Sequence, residues 1–383
     1  MALGYTVTRK VKCFDLADAP HLLVAGATKQ GKSVGLNVII ASLLYSKHPS
    51  ELKLVFIDPK MVEFNVYSRL LKHYLAVLPT AESEDKEKEM AIVKRSPDAE
   101  STLASLCVEM DARFDLISKS NVPNVQLYNK KFCERKLLPT EGHRYMPYIV
   151  VVIDEFADLV MSTGSSIEGR KSAKAINDAI IRLAQKGRAA GIHVIIATQR
   201  PSVQVVTPLI KANFPTRIAF RTVQMQDRMT ILGQPGAEKL IGKGDMLYYA
   251  GVETDRVQCA FISPGEMDSV TNFIGQQNKY HACYNTPYYL PAPPSKEGEG
   301  GVEIDMSKID EYFRDAAEIV FSIQMASTST LQRKLGVGYA RAGKIMDQLE
   351  AAGIVGHQEG SRPRTVLVTT QEQLDQILSI YER

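Results

Sequence analysis

The sequence predicts an α/β domain with a mostly parallel sheet, followed across a linker by a small helical domain ending in a hairpin. Three observations carry this. Strand-like apolar runs alternate with helical patterns from Cys13 to about Ile274, as when parallel strands are joined by helical crossovers. The run Tyr148-Ile149-Val150-Val151-Val152-Ile153 lacks the alternation of a half-exposed strand and reads as one buried on both faces. The composition then changes after Gln276, where Tyr288-Tyr289-Leu290-Pro291-Ala292-Pro293-Pro294-Ser295 leads into Lys296-Glu297-Gly298-Glu299-Gly300-Gly301, a linker that is first stiff and then flexible. The expected division is a first domain over 1–276, a linker over 277–305 and a second domain over 306–383.

In order along the chain, strands are expected near 21–25, 53–58, 148–153, 193–197 and 216–220, with helices at about 32–46, 100–119 and 172–189. The last of these helices rests on Ala175-Ile176, Ala179-Ile180 and Leu183-Ala184 at near-helical spacing. Ala81 to Glu100 mixes acids and bases with almost no apolar periodicity, and Ser162 to Ser172 is rich in Ser, Gly and charge; both read as exposed, mobile loops. Beyond the linker, helical patterns cover roughly 308–324, 328–335 and 339–352, and a polar turn at Gly360-Ser361-Arg362-Pro363-Arg364 precedes the strand-like Thr365-Val366-Leu367-Val368. Three helices and a β-hairpin spell a winged helix.

The residues that carry chemistry sit at strand ends. Gly26-Ala27-Thr28-Lys29-Gln30-Gly31-Lys32-Ser33 follows the apolar run Leu22-Leu23-Val24-Ala25 and opens a helix, which matches the phosphate-binding template GxxxxGK[ST] in its strand-loop-helix setting. That spacing lets backbone N–H groups curl around phosphates, sends Lys32 to the β/γ oxygens and brings the Ser33 hydroxyl to Mg²⁺. ATP and Mg²⁺ are the expected cofactors of a P-loop NTPase. Asp154 and Glu155 end the strand at 148–153, Asp154 suited to the Mg²⁺ shell and Glu155 to orienting or deprotonating the attacking water. Gln199, at the end of His193-Val194-Ile195-Ile196-Ala197-Thr198, is placed to sense a γ-phosphate. On the third helix of the small domain Arg341 and Lys344 lie near the end that enters the major groove in winged helices, and Arg362 and Arg364 lie on the wing. A winged helix that binds only other proteins is the alternative for this domain.

The composition agrees with a soluble enzyme. The net charge of +3 over 383 residues neither demands nor excludes nucleic acid, so DNA contact rests on local clusters. The five cysteines show no CxxC spacing, which fits a reducing cytosol, and the seven histidines form no HExxH pair that would suggest zinc. No apolar run approaches the roughly 18 residues of a membrane span, and the amino terminus lacks the layout of a signal peptide.

The collinear stretches HLLVAGATKQGKSVGLN (21–37), IDPKMVEF (57–64), VVIDEFADL (151–159), AQKGRAAGIHVIIATQRPSV (184–203), LIKANFPTRIAF (209–220) and LQRKLGVGYARAGKIMDQLEAAGIV (331–355) resemble the motor and C-terminal γ module of the FtsK/SpoIIIE family of DNA translocases, over nearly the whole chain. The resemblance implies a RecA-like motor that pumps double-stranded DNA during chromosome segregation and cell division. It implies homo-oligomeric, hexameric rings around the duplex and a γ module reading short oriented guanine-rich sequences. Full-length relatives are expected at the inner membrane of the division septum, and a site-specific recombinase is a candidate partner of the winged helix. Arg188, in Ala184-Gln185-Lys186-Gly187-Arg188, matches the family's arginine finger, which acts on an adjacent subunit's ATP. The chain departs from the pattern in three places. Lys29 stands where glycine is usual, Met225 where a second trans-acting lysine is frequent, and Ala340 where Asn precedes the recognition-helix arginine. The reading from another class is a DNA-binding recruitment or segregation adaptor with a nucleotide-operated switch.

Overall fold

Strands buried on both faces need a layer of helices on each side, and the chain supplies both. The computed structural model describes residues 1–79, 84–161, 167–222, 225–233, 240–251, 253–277, 287–294, 309–324, 326–337, 339–356, 364–368 and 370–381. It divides into two units, Met1–Pro294 and Ser295–Arg383. The first begins with β1 (Ala2–Thr6), β2 (Val11–Cys13), β3 (His21–Ala25), α1 (Lys32–Ser46), β4 (Leu52–Ile57), β5 (Ala76–Val77), α2 (Glu84–Met90), β6 (Ile92–Val93), α3 (Ser96–Lys119) and α4 (Val125–Cys133). It continues through β7 (Tyr148–Ile153), α5 (Phe156–Met161), α6 (Ile167–Ala190), β8 (Ile192–Thr198), α7 (Pro208–Asn213), β9 (Thr216–Phe220), α8 (Met225–Leu232), β10 (Asp245–Ala250), β11 (Thr254–Cys259), α9 (Pro264–Gln276) and β12 (Tyr288–Tyr289).

The main sheet runs β2-β1-β11-β10-β9-β3-β8-β7-β4-β6. From β9 to β6 all neighbours are parallel. From β9 to β2 they are antiparallel. Successive residues of the central strands feed different layers. Leu23, Ala25, Ile149, Val151 and Ile153 join a core with residues of α3 and α6, whereas Leu22, Val24, Val150 and Val152 join one with residues of α1. This is why β7 shows no alternation in sequence.

Several expectations change. Ala81–Glu100 is not one exposed loop: 80–83 lie outside the described residues, but α2, β6 and the start of α3 follow, with Ala91 and Ile92 buried. Pairing of Phe56 and Ile57 with Ile92 and Val93 extends the sheet there, so tertiary context overrides a charge-rich local sequence. In Ser162–Ser172, residues 162–166 lie outside the described set and the rest belongs to α6. Tyr288-Tyr289-Leu290 was expected as linker. Instead β12 pairs in parallel with β5, Leu290 is buried, and the Tyr288 hydroxyl donates to Glu109 at 3.0 Å, so the first unit runs to Pro294. None of the described helices is long and apolar enough to cross a membrane.

The second unit contains α10 (Phe313–Ile323), α11 (Thr328–Leu335), α12 (Tyr339–Ala351) and α13 (Gln371–Tyr381). α12 buries Ala342, Ile345, Met346 and Leu349, the i, i+3, i+4, i+7 spacing of one helical face, against Phe313, Ala317, Leu331, Leu374 and Leu378. Antiparallel bridges Ala326 to Arg364 and Val355 to Val366 form the base of a wing, and its tip at 357–363, including Arg362, lies outside the described residues.

At the amino-terminal ends of β3 and β8, His21 and His193 are 1% and 2% exposed. His21 Nδ1 accepts from the Val194 amide at 3.1 Å, and His193 Nδ1 lies 2.9 Å from the Pro20 carbonyl and donates to it. Burial holds both imidazoles neutral, pulling His21 down to about 3, with His193 and Arg188 adding to it, and His193 down to about 4. The unfolded chain takes up protons near the ordinary value and the folded chain does not. The stabilisation is therefore complete above that ordinary value and is lost as pH falls below it. Urea unfolding of the first unit should lose about 2 kcal/mol per histidine between about pH 7 and about pH 5. His193→Gln should flatten that slope, and a pH-independent midpoint in this window would contradict the assignment.

Candidate nucleotide site

Parallel strands deliver their carboxyl-terminal ends to one edge, where ligands of open α/β sheets bind. Here β3 delivers the loop 26–31, its neighbours β8 and β9 deliver Thr198-Gln199 and Phe220-Arg221, and β7 and β4 deliver Asp154-Glu155 and Asp58. The loop is tied on both sides. The Gly26 amide donates to the Thr198 carbonyl at 3.3 Å, the Ala27 amide to Arg221 at 3.0 Å, and the Gly244 amide to Gln30 at 3.0 Å. Gly31 caps α1 at φ 114° with no side-chain cap, and the first turn of α1 carries no acid. Its first amides are thus left for an anion. Any Cβ at Gly31 would stand 2.8 Å from Gly244 Cα, and one at Gly26 would stand 2.6 Å from Phe220 Cβ. Lys29 sits at φ 63°, the left-handed region that explains why glycine suits this position.

Lys32 and Asp154 form a buried ion pair. Lys32 Nζ donates to Asp154 Oδ1 at 2.8 Å and to the Asp154 carbonyl at 2.7 Å, with the side chains 3% and 1% exposed. Burial raises the Asp154 carboxyl above its ordinary value, Lys32 works against this, and the negative charges of Glu63 and Asp58 add to the rise. Glu155 is fully buried. It accepts from Thr198 Oγ1 at 2.6 Å, from the Gln199 amide at 3.0 Å and from Lys60 Nζ at 3.3 Å. Gln199 Oε1 accepts from the Thr28 hydroxyl at 2.9 Å, so this strand tip touches the phosphate loop. Ser33 Oγ donates to Glu63 Oε1 at 2.6 Å.

Lys32, Ser33, Asp154, Glu155 and Gln199 thus converge, as do Asp58, Lys60 and Glu63, which the motif reading did not single out. The signal was present in Leu52-Lys53-Leu54-Val55-Phe56-Ile57-Asp58, an apolar strand ending on an acid as β7 does. The donors are hydroxyl and carboxylate oxygens, and acids outnumber the lysines beside them, which fits a hard divalent cation. Arg188 is exposed near the carboxyl end of α6. Its charge acts on His21 and His193, at the strand ends opposite the phosphate loop.

In the second unit Arg341 and Arg364 are engaged internally. Arg364, expected on the wing among the residues facing DNA, has a side chain only 9% exposed that pairs with Asp347 at 2.8 Å and Glu350 at 2.7 Å while donating to the Met346 carbonyl at 3.1 Å. It staples the wing to α12. Arg341 is held by Asp310 at 2.9 Å and Glu311 at 2.7 Å, with its guanidinium 4.9 Å from the Tyr312 ring centre, and these acids hold it charged. Any other ligand of Arg341 must displace these partners. Lys344 is exposed on the same helix.

The pattern of the FtsK/SpoIIIE family matches residues 1–203 and that of the Ftsk gamma domain matches 307–369. A protein of Chlorobaculum tepidum named DNA translocase FtsK is 44% identical over 99% of this chain and 44% of its own length. The protein of that name from Listeria monocytogenes is 42% identical over 96% of this chain and 44% of its own length. The chain therefore spans less than half of the curated relatives it matches. Among solved structures, the pCW3 conjugation coupling protein TcpA, in its monomer form with ATPgS, is similar with a TM-score of 0.60 and 28% identity, covering 73% of this chain and 70% of that one. The cytoplasmic domain of the type VII secretion ATPase EccC of Thermomonospora curvata shares the fold at a TM-score of 0.60 and 21% identity, over 76% of this chain and 32% of its own.

Gly31→Ala places a side chain at a positive φ against Gly244. It should cost about 1–3 kcal/mol in urea unfolding and abolish binding of a fluorescent ATP analogue; retained binding would mean the loop accommodates a Cβ. Arg364→Ala should lower the stability of the second unit by roughly 1–3 kcal/mol, read by thermal unfolding of the segment 295–383, because it strips charged hydrogen bonds from the wing base. An unchanged melting curve would return Arg364 to the surface.

Proposed function

The chain belongs to the FtsK/SpoIIIE family, and on that premise we propose that it is the ATP-driven motor of a double-stranded DNA translocase, with the second unit reading DNA sequence. One observation carries the reading most directly. The loop amides, Lys32, Ser33, Asp154, Glu155 and Gln199 meet at one sheet edge, a set suited to holding a nucleotide triphosphate and a water. The adaptor alternative accounts less well for a buried glutamate directly beside the cation-facing aspartate.

Each residue has a part that follows from its present contacts. The loop amides and Lys32 bind phosphate oxygens, and Lys32 exchanges Asp154 for them. Ser33 and Asp154 would hold Mg²⁺, which would neutralise charge on the phosphates. Glu155, beside Thr198 and Gln199, orients the attacking water and accepts its proton once one of its present donors gives way. Gln199, already joined to Thr28, links the state of the loop to the tip of β8. Arg188, exposed on the side of His21 and His193 and matching the family's arginine finger, acts on the nucleotide of a neighbouring subunit, so hydrolysis requires a ring, hexameric by resemblance, around the duplex. Surface ion pairs are weak, so DNA can draw Arg341 from Asp310 and Glu311 while Lys344 contacts phosphate.

The decisive experiment compares ATP hydrolysis with and without long linear duplex. The motor reading expects strong stimulation and the adaptor reading little. Glu155→Gln should keep nucleotide binding but lose roughly 10² to 10⁴ in rate. Mixing Arg188→Ala with Lys32→Ala subunits should restore activity that neither has alone, and co-assembled but silent mixtures would remove Arg188 from the trans role.

A further inference from the structure

The segment after β4 is built to hold one carboxylate against α1. Asp58, fully buried, accepts four backbone amides: Lys60 at 3.1 Å, Met61 at 3.0 Å, Glu63 at 2.9 Å and Phe64 at 3.2 Å. Phe64, also fully buried, packs 4.9 Å from the Phe56 ring centre. Tyr67 ties the same segment to α1 by donating to Asn37 at 2.7 Å. Glu63, between the capped turn and the Phe64 anchor, is thereby fixed over the first turn of α1, where it accepts the Ser33 hydroxyl hydrogen at 2.6 Å.

A serine hydroxyl has one hydrogen and two lone pairs. A carboxylate can only accept, so Ser33 spends its hydrogen on Glu63 and keeps its lone pairs for a cation. We propose that Glu63 is a positioning residue of the divalent-cation site: it fixes the orientation of the Ser33 oxygen and adds a negative charge beside Asp154. This rests on the nucleotide-site reading and names a residue outside the phosphate-loop and β7 motifs. Losing a group that orients a metal ligand typically costs about 10- to 100-fold in affinity for the metal.

The test measures binding of a fluorescent ATP analogue to the full chain, in EDTA and across a Mg²⁺ titration, with Mn²⁺ paramagnetic resonance as a second readout. Glu63→Ala should raise the Mg²⁺ concentration at half effect by roughly 10- to 100-fold and leave more of the narrow signal of free Mn²⁺, while metal-free nucleotide affinity stays within about twofold. Glu63→Asp, which keeps the charge on a shorter stem, should recover part of the loss. An unchanged Mg²⁺ requirement overturns the proposal, as does an equal loss of affinity with and without metal, which marks Glu63 as a support of the loop's shape. Wild-type chain that binds nucleotide without any Mg²⁺ dependence, or not at all, overturns the nucleotide-site reading itself.

Discussion

The buried ion pair between Lys32 and Asp154 holds the loop helix to the neighbouring strands and sets the resting electrostatics of the site. Both side chains are nearly inaccessible, so each is the other's main replacement for water. Removing one partner of such a pair typically costs about 3–5 kcal/mol, because the other is left as a bare buried charge. The raised Asp154 carboxyl shows the strain of that burial even with Lys32 in place. On the proposed reading, a phosphate and a cation arriving together would exchange partners with the pair, giving Lys32 an anion and Asp154 a cation without exposing either.

The loop that brings Lys32 to this pair depends on the antiparallel half of the sheet. Phe220, at the end of β9, fills the space where side chains at Gly26 and Gly35 would stand, and Gly244, leading into β10, lies against Gly31. The turn into β10 carries no nucleotide motif, yet it backs the phosphate loop.

The second unit shows how a charge count misleads at short range. Between Leu331 and Arg364 the six basic residues outnumber the three acids, which suggests a nucleic-acid face. Folding spends part of that surplus internally: Arg364 closes the wing onto α12 through Asp347 and Glu350, and Arg341 meets Asp310 and Glu311 from outside that window. The cations that remain presented are fewer than the sequence suggests, and Lys344 is one of them.

What the sequence by itself determined was local and periodic. The phosphate loop, the buried strand ending in Asp154-Glu155, the helices α1, α6 and α12 and the winged-helix order were legible because each depends on residues within one element or turn. Tertiary structure decided what depends on distant partners. β6 exists because β4 offers it an edge, and β12 because β5 does. Glu63 meets Ser33 across 30 positions and Lys60 meets Glu155 across 95, so no spacing rule could pair them. The functions of Arg341 and Arg364 turn on acids that only folding brings within reach. A side chain's chemistry is written in its identity, but its partner is chosen by topology, because strand order in a parallel sheet joins segments far apart along the chain.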